Sequence, residues 1–469
     1  MSRFDETRLK KLFIKYSAIG PYYTSYPTGK TWSENFTEKD YRKTLVELLD
    51  QNPPISLYIH FPFCTRRCRF CFCYTTVTHD RTQISSFFTM LQKEIALFQQ
   101  LLKACSMAPN IQELHLGGGS PSFMEPEEFT SLIRILKPLI DVKKLAEFTM
   151  EIDAITVTRD KLNFFAESGV NRISLGIQDF DPDVQMAIGR IQSPELIAGL
   201  LTPDIRVQFK SVNFDLMYGL PLQTRATFRA TIEETIQLQP DRLAIYNYFH
   251  LPEIYPHQSS INKADLPEYT EKYMIFIEAS ELLNKHGYDS IGIDHFAKMT
   301  EELSIAKRNR SLCRHFMGYT AGRAPSVIGL GPSSLGGFTH YYTQNVYSTD
   351  DYAGCLNKGV FPLLRGYRLS DDDIFRREVI NELFCYFSVD IKKIESVFRI
   401  SFSTYFAREL DLLQPLIVDG IVAVSDHAIN IVPGAELFVR HVCAVFDAYD
   451  TRDSSRYVPV VQRSGKDPS

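Results

Sequence analysis

The chain has 469 residues, of which 44% are hydrophobic, 12% aromatic and 23% charged, a composition typical of a folded globular protein and not of a disordered one. The 51 basic and 56 acidic side chains give a formal net charge of -5, which excludes a strong electrostatic attraction to nucleic acid or to an anionic membrane. The sequence has no signal-peptide core and no apolar run of about 18 residues. We therefore predict a cytoplasmic protein without a membrane span that acts on a small molecule.

The chain divides by pattern into four predicted parts. Residues 1–52 form an N-terminal extension, in which the aromatic stretch GPYYTSYPTG at 20–29 packs either over the site as a lid or along the surface as a strap. Residues 53–368 form an α/β barrel with added strands. Residues 369–456 combine helical patterns with the hairpin pattern VDGIVAVSDHAINIVP, which predicts a helical and winged domain. The polar residues 457–469 form a flexible tail.

Six short apolar runs alternate with longer amphipathic stretches between residues 56 and 296. This alternation predicts repeated βα units and a parallel sheet, and six units suit a partial, open (βα)6 TIM-like barrel. Ligands bind such barrels at the carboxyl ends of the strands. The segments 289–297 and 326–337 are predicted to add strands and a glycine-rich turn that close one side of the barrel. The predicted barrel strands read SLYIHF, IQELHLGG, EFTMEID, RISLGIQ, SVNFDLMYG and RLAIYNY.

A cysteine-rich loop directly follows the first of these strands. Cys64, Cys68 and Cys71 have the spacing CxxxCxxC, and three thiolates on one loop can hold a 4Fe-4S cluster that keeps one iron open to a small molecule. A zinc site is the alternative, but zinc sites normally use a second cysteine pair or histidines at fixed spacing, and this sequence has neither after the loop. The CxC spacing between Cys71 and Cys73 would strain a shared cluster, so we do not predict Cys73 as a ligand.

Several stretches of the sequence together resemble one protein family. The loop motif YxHxPFCxxxCxFCxC at 58–73, LHLGGGSPS at 114–122 and GVNRISLGIQDF at 169–180 are similar to stretches of the oxygen-independent coproporphyrinogen III oxidases. The resemblance continues through NFDLMYGLPLQT, NYFHLP, GIDHFA and the C-terminal part, so it covers nearly the whole chain. It implies a barrel of the radical S-adenosylmethionine (SAM) type.

The resemblance also implies which residues hold the cofactors. A 4Fe-4S cluster would bind Cys64, Cys68 and Cys71, and two SAM molecules would bind beside it. Without this context the glycine run, Gly117–Gly119, would indicate only a tight turn. Arg190 and Asp215 would likewise indicate only an ordinary surface ion pair. His60 and His295 are assigned no catalytic role. The first SAM would contact Tyr58, Gly118, Glu151 and Leu335, and the second Phe70, Gly119, Ser120, Gln178, Arg190, Asp215 and Phe249.

Several positions near the predicted site depart from the pattern that the resemblance leads us to expect. Two of them, in the N-terminal block and after Asp153, lack an expected arginine, which removes basic groups that could face substrate carboxylates. Phe249 occupies a position where alanine is expected, and a ring added to a preformed pocket requires repacking. The second SAM site is therefore the less secure of the two. The departures are Tyr22, Phe72, Tyr74, Ala154, Ile155 and Phe249.

The resemblance implies oxidative decarboxylation of coproporphyrinogen III to protoporphyrinogen IX in haem biosynthesis. The expected partners are the tetrapyrrole substrate and a reductase or flavodoxin-like electron donor, and we expect a monomer. Two other hypotheses stay open. One is a radical SAM paralogue that methylates or otherwise modifies another tetrapyrrole or heteroaromatic compound, which the departures motivate. The other is a non-catalytic haem chaperone.

Overall fold

The computed structural model describes residues 5–17 and 23–450. Tyr22, the first part of the stretch 20–29 and the predicted tail at 457–469 lie outside the described residues. The helices are α1 (Glu6–Lys15), α2 (Glu38–Gln51), α3 (Arg81–Cys105), α4 (Pro126–Leu136), α5 (Arg159–Glu167), α6 (Pro182–Ile188), α7 (Pro194–Leu200), α8 (Pro203–Arg206), α9 (Arg225–Leu238), α10 (Tyr269–Lys285), α11 (Glu302–Arg308), α12 (Thr349–Asn357), α13 (Asp371–Tyr386), α14 (Ile391–Phe398), α15 (Phe402–Tyr405), α16 (Ala407–Leu412), α17 (Gln414–Val418) and α18 (Val439–Val445).

The strands build one large sheet and three small ones. They are β1 (Ile55–Phe61), β2 (Phe63–Cys64), β3 (Thr76–Val77), β4 (Ile111–Gly118), β5 (Glu147–Ile152), β6 (Arg172–Gln178), β7 (Ser211–Tyr218), β8 (Arg242–Asn247), β9 (Tyr288–Ile291), β10 (His295–Lys298), β11 (Cys313–His315), β12 (Gly318–Thr320), β13 (Ser326–Leu330), β14 (Leu335–Gly337), β15 (Tyr341–Asn345), β16 (Leu363–Arg368), β17 (Ser388–Asp390), β18 (Val422–Val424) and β19 (Ala428–Ile431).

The centre of the large sheet consists of β1, β4, β5, β6, β7 and β8, which pair in parallel in this order. Helices follow each of the first five strands and carry the chain back to the start of the next one. These six strands are the ones predicted from the sequence, so the predicted partial (βα)6 barrel is confirmed. Within the described part of the chain the sheet stays open, because β16 and β9 are its two edge strands.

The two added segments extend opposite edges of the barrel sheet. The hairpin of β9 and β10 pairs antiparallel with β8, whereas β13 pairs in parallel with β1 and continues through β14, β15 and β16. The prediction that both segments close one side is therefore wrong. β13 is buried at every position, as suits a strand covered on both faces, and the free edge of β1 offers that environment.

The parallel strands alternate between a helix-facing side and an interior side. Leu114, Phe148, Leu175 and Phe214 are at most 1% exposed and belong to the main hydrophobic core. The residues at the alternate positions are polar and line the barrel interior. This period of two is the ordinary geometry of a strand. The interior-facing polar positions include Glu113 and His115 in β4, Glu147, Thr149 and Glu151 in β5, Arg172 and Ser174 in β6, Ser211, Asn213 and Asp215 in β7, and Arg242 and Tyr246 in β8.

The N-terminal and C-terminal parts pack against each other. The ring of Phe13 in α1 stacks on Phe438 at 5.0 Å. Tyr23 donates a hydrogen bond to Asp447 over 2.9 Å, and the hydroxyl of Tyr26 accepts one from the backbone of Ala448 over 3.1 Å. The C-terminal part contains the predicted helices and a sheet in the order β17, β19, β18. The exact division of the chain into four parts remains a prediction.

Candidate active site

One cavity of about 410 Å³ opens at the carboxyl ends of the barrel strands, and we call it the active-site cavity. Its volume lies in the range of about 300–1,000 Å³ that is usual for small-molecule sites. The three predicted cluster ligands line it. So do nine predicted SAM contacts, namely Phe70, Gly118, Gly119, Ser120, Glu151, Gln178, Arg190, Asp215 and Phe249. The structure thus gathers residues from well-separated motifs at one place.

Of the three predicted cluster ligands, Cys64 ends β2, whereas Cys68 and Cys71 lie on the loop between β2 and β3, and the three differ in their surroundings. The Sγ atom of Cys64 lies 3.7 Å from the Ser120 hydroxyl, and that of Cys71 accepts a hydrogen bond from the backbone N–H of Cys73 over 3.4 Å. Burial raises the pKa of Cys64 to about 12. The hydrogen bond from the Cys73 thiol lowers the pKa of Cys71 to about 7.

This donor set fits an iron–sulfur cluster, because hydrogen bonds to the ligand sulfurs are a normal means of tuning such a cluster. Neighbouring side chains hold the loop that carries the thiols. His257 donates to the carbonyl of Cys71 over 2.7 Å, and Arg67 donates to the carbonyl of Thr75 over 2.5 Å. Among the described residues, no three His, Cys, Asp or Glu side chains converge as ligands of a single metal ion would.

Arg190 links the cysteine loop to the barrel. Its Nη1 donates to Cys68 Sγ over 3.7 Å, and its Nη2 donates to Asp153 Oδ1 over 3.0 Å. Arg190 and Asp153 are 8% and 6% exposed, so this is a buried ion pair and not the surface pair of Arg190 with Asp215 that the residue types alone would suggest. Asp215 instead accepts hydrogen bonds from Ser174 over 2.7 Å and from Asn213 over 2.9 Å. Burial raises its pKa.

The carboxylate of Glu151 is held above the end of β4. It accepts a hydrogen bond from the backbone N–H of Gly118 over 3.1 Å and another from Nε2 of His115 over 3.2 Å. A Cβ atom at Gly117 would lie 2.5 Å from Glu151 Oε1, and Gly118 has a φ of +107°. Both positions therefore require glycine, the first for space and the second for its backbone conformation.

Two predicted SAM contacts, Tyr58 and Leu335, lie beside the active-site cavity and do not line it. Tyr58 pairs with Gly329 across the β1–β13 contact. A Cβ atom at Gly329 would lie 2.4 Å from the carbonyl oxygen of Leu335, so these residues are neighbours. The Tyr58 hydroxyl donates to His60 Nδ1 over 3.1 Å, and His60 Nε2 donates to the carbonyl of Tyr74 over 2.9 Å. His60 thus serves to hold Tyr58 against the loop.

A second cavity of about 130 Å³ lies below the first, towards the amino ends of the strands, and we call it the lower chamber. Both cavities share Glu151, Ser174, Asp215 and Tyr246 in their walls. The rest of the lower chamber includes two carboxylates, Glu113 and Glu147, and two arginines, Arg172 and Arg242. Arg172 lies 2.9 Å from Glu147 and 3.3 Å from Glu301.

Comparisons with known proteins show the family of the chain. Residues 58–235 match the Radical SAM superfamily. The oxygen-independent coproporphyrinogen III oxidase of Escherichia coli (strain K12) is 36% identical over 438 residues, which cover 93% of this chain and 94% of that protein. The corresponding protein of Synechocystis sp. is 35% identical and covers 94% of each chain. The solved coproporphyrinogen III oxidase from Escherichia coli, described as a radical SAM enzyme, has a TM-score of 0.87 at 35% identity and covers 96% of this chain and 99% of its own.

The chain belongs to the oxygen-independent coproporphyrinogen III oxidase family. Its place in the radical SAM superfamily implies a 4Fe-4S cluster and SAM as cofactors, and the cavity described above supplies a thiol set and a carboxylate suited to them. No helix in the described part of the chain is long and apolar enough to cross a membrane.

The residues that depart from the expected pattern of the oxidase family have different surroundings. Phe72 lines the active-site cavity and packs edge-on against Tyr255, with ring centroids 5.0 Å apart. Phe249 also lines it, and Lys272 Nζ lies 5.5 Å from the centre of its ring. Tyr74 contributes its backbone carbonyl to His60. Ala154 is buried, whereas Ile155 is 41% exposed.

Several residues that line the cavity were missed by sequence reasoning. Asp153, which lines this cavity, and His115, which lines the lower chamber, are the most informative, because each contacts a predicted site residue through one hydrogen bond. The alternation of polar residues within the strands could have identified His115, because it lies two positions after Glu113 and therefore faces the same side of β4. Arg66 and Arg67, which lie between Cys64 and Cys68, could have been noted from the sequence of the loop itself. The further lining residues are Arg66, Arg67, Cys73, Thr75, Ile152, Gly176, Met217 and Asn247.

Proposed function

We propose that the protein decarboxylates coproporphyrinogen III oxidatively to protoporphyrinogen IX in a SAM-dependent radical reaction. The observation that carries this proposal is the meeting of Cys64, Cys68 and Cys71 with the glycine run and Glu151 in one cavity. When bound, the reduced cluster and SAM would supply a 5'-deoxyadenosyl radical, the species that takes a hydrogen atom from a substrate propionate. Loss of carbon dioxide and transfer of one further electron to an external one-electron acceptor would then leave a vinyl group. The protein supplies orientation and excludes water.

Cys64, Cys68 and Cys71 are the proposed cluster ligands, and Cys73 is proposed to lie beside the cluster without binding it. Arg190 supports this arrangement, because its guanidinium contacts Cys68 and is itself held by Asp153. A positive charge beside a thiolate favours the deprotonated form that binds iron. Ser120 and the backbone of Cys73 give the other two thiols a polar neighbour each.

Glu151 is the proposed ligand for the first SAM molecule, whose ammonium group and ribose hydroxyls donate hydrogen bonds that a carboxylate can accept. Gly118, Tyr58 and Leu335 complete this proposed site. The hydrogen bonds from His115 and Gly118 fix both carboxylate oxygens. A carboxylate held in this way loses little side-chain entropy when the ligand binds.

A second SAM molecule is proposed to bind along Phe70, Gly119, Ser120, Gln178, Arg190, Asp215 and Phe249. All seven line the active-site cavity, which supports the proposal. The substrate would enter the same cavity, where Arg66 and Arg67 supply positive charge for propionate groups. These arginines stand in for the two that the family pattern leads us to expect elsewhere. Arg66 Nε and Nη2 are buried without a hydrogen-bond partner.

The test is an anaerobic reconstitution of the cluster followed by addition of dithionite, SAM and coproporphyrinogen III. We expect 5'-deoxyadenosine and protoporphyrinogen IX to form together, and two SAM molecules to bind per chain in equilibrium dialysis. Formation of 5'-deoxyadenosine with a different tetrapyrrole product would favour the paralogue hypothesis. Bound haem without any SAM cleavage would favour the chaperone. We further propose that the protein works as a monomer in the cytoplasm with an external electron donor.

A further inference from the structure

The loop that carries the predicted cluster ligands is unusually basic for this chain. Arg66, Arg67 and Arg69 fall within five positions of a protein whose formal net charge is -5. Arg66 is half-buried and its Nη2 lies 3.9 Å from the Asp153 carboxylate. Arg67 and Arg69, which flank Cys68, are exposed. Positive charge therefore reaches the surface directly beside one predicted ligand.

Arg69 is fixed against the end of α6. Its backbone N–H donates to the carbonyl of Ile188 over 3.1 Å, and its Nη1 donates to the carbonyl of Ala187 over 3.2 Å. The helix ends at Gly189, which has a φ of +68°, and the next residue is Arg190, which contacts Cys68 Sγ. The segment 186–191 thus packs against the loop beside Cys68.

The same segment exposes two large apolar side chains. Met186 is 56% exposed and Ile191 is 67% exposed. Asp181 caps the amino end of α6, and the acidic Asp183 lies in its first turn. A methionine and an isoleucine beside exposed arginines resemble the core and rim of a protein interface, in which Met and Arg are enriched.

We propose that this surface, formed by Arg69, Met186 and Ile191, docks an acidic one-electron carrier protein that reduces the cluster. This inference rests on the proposed function. One electron passes from a reduced flavin of the carrier to the bound cluster, so the carrier is oxidised by one electron and no atom is transferred. The cavity side of the loop is used by SAM and substrate, which leaves the outer side for the carrier. Opposite charges would steer the encounter and set its salt dependence.

The experiment compares two reductants on the reconstituted holoenzyme. Initial rates of 5'-deoxyadenosine formation are measured with a reduced acidic flavodoxin and, separately, with dithionite. Arg69→Glu and Met186→Asp are the test variants. Lys144→Glu, whose side chain is 84% exposed just before β5 at the far end of the barrel, and Val207→Asp, which is 79% exposed, are the matched controls.

With flavodoxin, we expect each test variant to form 5'-deoxyadenosine about tenfold more slowly than the wild type. With dithionite, the rate should fall less than about twofold, because a charge at the interface acts mainly on the association of the enzyme with the carrier. The controls should keep both rates, and about 0.3 M salt should slow the wild type with flavodoxin alone. Iron and sulfide contents show whether the cluster is retained.

An equal loss with both reductants, or no loss with flavodoxin, would overturn the docking surface. A test variant that shifts the sedimentation coefficient of the enzyme would also overturn it, since the surface would then join copies of the chain. If the wild type forms no 5'-deoxyadenosine even with dithionite, the proposed function itself fails, so the two failures are distinguishable.

Discussion

The active-site cavity and the lower chamber are lined by the same barrel strands but hold charge differently. In the lower chamber, charged groups neutralise one another: Arg172 contacts Glu147, Glu301 and Glu302, and Arg242 lies 2.5 Å from Glu301. In the active-site cavity, Glu151 and Asp215 each accept hydrogen bonds from two neighbours, and Arg190 pairs with one carboxylate, that of Asp153.

This difference follows the division of labour within a barrel, in which the carboxyl ends of the strands bind ligands and the amino ends provide stability. A buried charge in the lower chamber stabilises the folded protein only while its oppositely charged partners are present, because an unpaired buried charge is strongly destabilising. A charge in the active-site cavity also has a partner within the protein, as Arg190 has in Asp153, but it borders the space where we expect a ligand to bind. Mutations in the two regions should therefore separate stability from activity.

The largest effect is expected in the active-site cavity from Cys68→Ala. The variant should lose the cluster and all 5'-deoxyadenosine formation, because two thiolates do not replace three. Cys73→Ser is the matched control and should retain the cluster, as measured by the iron and sulfide contents of the protein. Equal loss in both variants would make Cys73 a ligand.

In the lower chamber, Arg172→Ala should lower the free energy of unfolding by about 3–5 kcal/mol, since it leaves buried carboxylates without their partner. Chemical denaturation measures this change. The affinity for SAM at a temperature where the variant is folded should stay within about twofold of the wild type. Weaker SAM binding at unchanged stability would contradict the separation of the two regions.

In the active-site cavity, Glu151→Gln should weaken SAM binding by about 1.5–3 kcal/mol, which is roughly ten- to a hundredfold in Kd. The amide keeps the shape but removes the charged acceptor. His115→Gln should have a smaller effect in the same direction, because it acts through Glu151. Anaerobic titration calorimetry measures both, and a stability loss without a change in SAM affinity would assign Glu151 to the fold.

The smallest effect concerns pH and Glu113 in the lower chamber. Burial, with Glu147 nearby, raises the pKa of Glu113 to about 7 from its usual value of 4.5. Its contribution to stability is therefore present below about pH 4.5 and is lost as the pH rises through 7. Between pH 5 and pH 8, the free energy of unfolding of the wild type should therefore decrease, and in the Glu113→Gln variant this decrease should be smaller by on the order of 1 kcal/mol. Glu127→Gln, at an exposed position, is the control, and its free energy of unfolding should change with pH as that of the wild type does in the same denaturation series.

The sequence by itself determined the elements that depend on local pattern. The six barrel strands follow from short apolar runs, and the cysteine loop and the glycine run follow from spacing. The resemblance to a known family also implied that Arg190, Asp215 and Gln178 share a site, although their separation along the chain gives no distance between them. Tyr58 and Leu335 show the limit of this reasoning, because they lie beside the cavity that their companions line.

Only the tertiary structure decided how distant segments meet. It joined Asp153 to Arg190 and His115 to Glu151, and it placed the two added segments on opposite edges of the sheet. These outcomes depend on strand order and register, which arise from pairing between residues far apart in the chain. A pattern read within a window of about ten residues reports the period of a strand, but it carries no information on which edge that strand will join.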